Sequence, residues 1–128
     1  MTQLQFIDGI LQPSRIADAL PRMTVAQLAA CASASRTLGQ LAIDMLAAPE
    51  FGGFCEAGQT PAGEWLEGMA LAMIEGGDRC IAELRERRPA TNDERDAQAS
   101  ALIGHAVQSN EPVTVVAALA ISLASKRH

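Results

Sequence analysis

Threonine and proline punctuate this chain at intervals that suit one kind of regular structure. Thr24, Thr60 and Thr91 each precede a long segment rich in Ala, Leu and charged residues, and Pro49, Pro89 and Pro112 stand where those segments stop. A threonine hydroxyl accepts a hydrogen bond from the free amides that open a helix. Proline lacks the N–H that would continue one, and its ring clashes with the preceding turn. Pro61 directly follows Thr60, at the first helical position, where its fixed φ suits the helix. Thr91-Asn92-Asp93-Glu94 has the spacing of a capping box, with Glu three residues after the cap.

The residues between these marks follow the helical period. Over 25–47, Val25, Leu28, Ala32, Ser35, Leu38, Ala42 and Met45 recur at three- and four-residue steps, while Arg36, Gln40 and Asp44 form a polar line. Over 61–88, Glu64, Glu67 and Glu75 come early and Arg85, Arg87 and Arg88 late, as the helix dipole favours. Glu75 with Arg79 and Glu83 with Arg87 are four apart and suited to pair. Gly76-Gly77 interrupts this helix at about 1 kcal/mol per glycine relative to alanine, so a kink is expected there. Over 92–109, Ala99, Leu102, Ile103 and Ala106 form the apolar face. Over 112–125 the residues are apolar nearly all round, including Val113, Val115, Val116, Leu119, Ile121 and Leu123. Such a helix is expected to be buried on most sides, at the centre of the core. Val113 to Val116 would also suit a strand, but the alanines that follow favour helix.

These elements predict an all-α fold, an antiparallel bundle of four main helices in one domain over 1–128. Residues 1–13 read as a short N-terminal helix or a loose arm, and Ser14 as the cap of a short helix through Leu20. Residues 48–60 form the longest loop and carry Phe51 and Phe54. Aromatic residues are only 3% of the chain, too few for a sheet-rich core.

Charge excludes several function classes. The first 60 residues hold 3 basic and 5 acidic side chains, and the remainder 7 and 10, so neither part is basic. That leaves no electrostatic footprint for nonspecific nucleic-acid binding and disfavours anionic lipid. The longest strongly apolar stretch, 113–124, falls short of the roughly 20 residues of a membrane span. Met1 to Ile10 lacks the basic and apolar regions of a signal peptide. Cys31, Cys55 and Cys80 are odd in number and contain no C-x-x-C, which reads as reduced thiols in the cytoplasm.

No set of residues completes a catalytic, cofactor or metal motif. His105 is the only histidine before the C-terminal residue and has no H-x-x-x-H or E-x-x-H partner. Cys31 and Cys80 sit among apolar helix neighbours, as inert thiols do, and Cys55 lies beside Glu56, which opposes an activated thiolate. Glu64, Glu67, Glu75 and Asp78 lack the histidines of a di-metal bundle site. Residues 25–41 resemble a helix-turn-helix in Leu28-Ala29 and Ser35-Arg36-Thr37-Leu38, but Ser33 stands at the turn and Arg36 is the lone cation.

Three functional readings follow in descending order. The first is a protein-interaction or regulatory module without catalytic activity, forming a homodimer through the third helix segment. There Gly68, Ala72 and Gly76 form a small-residue stripe beside Trp65, and Leu71 projects to the side that carries Glu67, Glu75 and Asp78. The second is a small-molecule-binding bundle or enzyme with a pocket under the 51–54 loop, lined by Phe51, Phe54, Trp65, Met69 and His105. The third is a DNA-binding regulator acting through 25–41.

Overall fold

Each of the three threonine caps forms. In the computed structural model, which describes residues 18–53 and 58–125, the Thr24 side chain accepts from the Gln27 amide at 3.1 Å. The Gln27 Oε1 accepts in turn from the Thr24 amide at 2.9 Å, so the complete capping box lies here. At Thr91 only half of the expected box exists. Thr91 Oγ1 accepts from the Glu94 amide at 3.1 Å, but the Glu94 carboxylate reaches the Ala90 amide instead, at 2.7 Å. Thr60 accepts from the Gly63 amide at 3.1 Å and donates to the Glu50 carbonyl at 2.6 Å, tying the preceding loop to the helix it opens.

The helices are α1 (Val25–Met45), α2 (Pro61–Glu86), α3 (Asn92–Gln108) and α4 (Val113–Ser125), with 3-10 turns at Leu20–Arg22 and Pro49–Phe51. They pack together as an all-helical bundle, with no strand among the described residues. Residues Val113 to Val116 are helical, and α2 runs unbroken through Gly76-Gly77. Residues 1–17 and 54–57, which include the N-terminal arm, Ser14, Phe54 and Cys55, lie outside the described residues.

An antiparallel hairpin of α1 and α2 is the frame. Its contact residues on α1 are Val25, Leu28, Ala32, Ser35 and Gly39, at alternating three- and four-residue steps that keep one seam facing the partner. Small side chains set the spacing. A Cβ at Gly39 would lie 3.0 Å from Ile74 Cγ1, and one at Gly77 would lie 3.2 Å from Ser35 Cβ. The seam therefore passes through Gly39 rather than Leu38, which is 49% exposed, and Met45 is also outside it at 46%. At 38–39 hydrophobic periodicity favours the larger residue of the pair, Leu38. The packing selects the smaller one because the two backbones come close.

From the open end of the hairpin, α3 runs along the groove between α1 and α2, with Gln98 at Leu84 and His105 at Asp78. Leu28, Leu84 and Leu102, one from each of α1, α2 and α3, are at most 1% exposed and form the centre of the core with Ile81, Cys80 and Val25. Two polar side chains lock this end. Gln98 is buried, and its Nε2 donates to the carbonyls of Leu84 and Arg87, both at 2.8 Å, closing the C-terminal end of α2. The Arg87 guanidinium donates to the Met23 carbonyl at 2.6 Å, the Leu20 carbonyl at 2.8 Å and Glu83 at 3.0 Å. It binds the turn before α1 to the end of α2.

The expectation that the last helix centres the core is corrected. The chain reverses at Asn110, whose φ is 57°, and α4 then rests mainly on α3. Leu123 is buried and Leu119 half-buried, but Val113 is 83% and Ile121 71% exposed. One neighbouring helix covers one stripe, and this helix is apolar on more than one.

Candidate functional site

The outward side of α2 is set by its inward side. Gly68 lies nine residues before Gly77, which at about 100° per residue places it half a turn away from the α1 contact. A Cβ at Gly68 would meet nothing within 4 Å, and on either side of it Trp65 is 47% and Leu71 58% exposed. Ala72 is half-buried and Gly76 buried. The small-residue stripe read from the sequence therefore divides. Its Gly68 end lies in an open strip with Trp65 and Leu71, and its Gly76 end belongs to the interior. The residues that let α1 approach are Ala70 and Gly77, one seam over.

Glu64 and Glu75 border the strip and are exposed. Glu75 pairs with Arg79 at 3.0 Å and Glu83 with Arg87 at 3.0 Å, as their spacing predicts. The first pair is more exposed than the second, so it adds only a few tenths of a kcal/mol. No group of three or more His, Cys, Asp or Glu able to hold a metal ion occurs among the described residues.

The residues of the expected pocket do not come together. Phe51 is half-buried at the start of α2, where its carbonyl lies so close to Gly63 that any Cβ would collide. Trp65 and Met69 lie on that first part of α2, exposed and half-buried respectively. His105, by contrast, approaches Asp78, with Nε2 3.9 Å from Oδ1. Asp78 is 13 residues beyond Trp65, about 20 Å along the helix at 1.5 Å per residue. The length of α2 separates the two groups, which sequence position alone did not reveal. Phe54 lies outside the described residues.

His105 lies instead in a cleft of about 230 Å³ between α1, α2 and α3. Ala32, Ile74, Gly77 and Ile81 contribute apolar lining, and Arg36, Gln40, Asp78, Gln108 and Ser109 contribute polar lining. Arg36 was legible only as a helix-surface cation; its place here depends on α3 lying alongside α1.

The described thiols are not poised for nucleophilic chemistry. Cys80 is buried and Cys31 half-buried, both free. Burial pushes the Cys80 thiol above its ordinary range, and the neighbouring Cys31 adds to the effect. A protonated thiol in apolar surroundings is inert. Cys55 lies outside the described residues.

The helix-turn-helix reading of 25–41 has no turn to rest on, because α1 is continuous from Val25 to Met45. No helix among the described residues is long and apolar enough to cross a membrane. The chain matches no protein-family model, no characterised protein and no solved structure.

Proposed function

We propose that this protein is a small cytoplasmic interaction module that acts without catalysis and pairs with a second copy of itself. One observation carries the reading. Ten large apolar side chains are at least 40% exposed among the described residues, four of them on the C-terminal half of α1, two on α2, one on α3 and three on α4. Val113, Val115 and Ile121 belong to α4, and Trp65 and Leu71 flank the open Gly68 strip of α2. Isolated apolar residues on a surface need no explanation, whereas clustered ones mark contact faces. A second copy is the favoured occupant, because most soluble assemblies are symmetric homo-oligomers and the two-fold dimer is the commonest.

The α2 strip is placed at the dimer contact. Leu71→Glu adds a charge beside Glu67 and Glu75, where a second copy would have to desolvate it. Sedimentation equilibrium of the wild type should show a dimer at micromolar concentration. Leu71→Glu should shift it to monomer with an unchanged far-ultraviolet spectrum. A wild type that remains monomeric at high micromolar concentration rules out self-association. A dimer that survives Leu71→Glu but dissociates with Ile121→Glu moves the contact to α4.

A further inference from the structure

The cleft between α1, α2 and α3 has a composition that packing alone does not require. Arg36 is half-buried at its wall, and no described residue forms an ion pair with it. Neither nearby carboxylate pairs with it. Asp44 accepts from Gln40 Nε2 at 2.9 Å, and Asp78 faces His105 at 3.9 Å. The same Arg36 also borders the two adjoining depressions, one against Ala97, Ser100 and Gly104 and one against Thr37 and Leu41. Its guanidinium is thus available at the junction of three helices, with no hydrogen bond or ion pair to another described residue.

We propose that this cleft binds a small organic carboxylate with a short aliphatic body. The chemistry of its lining selects that class. A guanidinium offers a planar fork of donors that matches a carboxylate in two parallel hydrogen bonds. His105 supplies a further ring nitrogen on the opposite wall, with Asp78 beside its Nε2. Ile74, Ile81 and Ala32 provide apolar surface for an alkyl chain. The volume of about 230 Å³ is below the roughly 300–1,000 Å³ of sites for drug-sized ligands, so the ligand is compact. Asp78 is exposed on the α2 wall and weighs against more than one negative charge. A monocarboxylate fits this balance better than inorganic phosphate. The site is on the side of the hairpin covered by α3, and it does not depend on how the α2 strip is used.

Titration of the full chain with hexanoate, acetate and inorganic phosphate, followed by amide chemical shifts, tests this assignment. Hexanoate should shift the amides of Gly77, Asp78, His105 and Ser109 and bind more tightly than acetate. Arg36→Gln should weaken hexanoate about ten- to hundredfold, the worth of a hydrogen bond to a charged group. Arg36→Lys keeps the charge but loses the fork, and should fall between the two. Arg85→Gln, on an exposed cation outside the cleft, should leave the response unchanged. An absence of shifts at tens of millimolar hexanoate overturns the proposal. So does a response that Arg36→Gln leaves intact while its spectrum remains native, or phosphate binding as tight as hexanoate.

Discussion

Gln98 shows how a single polar residue can govern a helix end. It is 1% exposed, and its two bonds from Nε2 go to carbonyls at the C-terminal end of α2, that of Leu84, which also accepts from the Arg87 amide at 3.2 Å, and that of Arg87. Gln98→Leu preserves approximate volume but removes the donor, leaving the Leu84 carbonyl with the Arg87 amide alone and the part-buried Arg87 carbonyl without its Gln98 bond. The cost should be about 1–3 kcal/mol, the range for an unsatisfied buried acceptor. Urea unfolding reads it directly, and a change below about 0.5 kcal/mol would mean that water replaces the amide. The helical spacing of Ala99, Leu102, Ile103 and Ala106 outlined the apolar side of α3 in advance. It gave no reason to bury a glutamine. That reason exists only once the end of α2 is known to lie against α3.

Among the elements, the α1–α2 hairpin depends on the absence of side chains. Gly39 and Gly77 are points where each helix closely approaches the other. Gly39→Leu would place a branched chain where a single Cβ already comes within 3.0 Å of Ile74. Overpacking of this kind costs about 1–3 kcal/mol, and leucine's better helix propensity returns only about 1 kcal/mol. A net loss of stability in thermal unfolding is therefore expected. A gain would show that the hairpin can separate at this point without penalty. The helix bounds were legible to within two residues, because caps and prolines are local signals. The seam was shifted at Leu38, because hydrophobicity ranks Leu above Gly while close approach ranks them the other way.

In the molecule as a whole, stability is distributed unevenly. The fully buried leucines lie toward the open end of the hairpin against α3, and α4 contributes Leu123 to that cluster with Leu119 packed against it. Of its other large residues, Val113, Val115 and Ile121 face outward and Val116 is half-buried. Regions with few buried contacts open locally at lower free energy than the core. Amide hydrogen exchange should therefore be fastest in α4 and slowest around Leu28, Leu84 and Leu102. Protection of α4 equal to that of the core, in a sample shown to be monomeric, would contradict this order. Protection that rises with protein concentration would locate a contact between copies on α4.

The chain's own residues determined what depends on neighbours along the backbone. Threonine caps, proline stops, the i,i+4 pairs Glu75–Arg79 and Glu83–Arg87, and the all-α class act within a few residues of one another. The exposed position of Leu71 was also anticipated, because the carboxylates around it mark an outward face. Tertiary structure decided everything that depends on which helix lies beside which. It separated His105 from Trp65 by the length of α2, brought Arg36 and His105 to one cleft, and left α4 at the edge of the bundle. Periodicity specifies that a helix has an apolar face but not how much of that face a neighbour covers. That depends on the distance and angle between helices, which here are set by glycines at positions that hydrophobicity alone would have passed over.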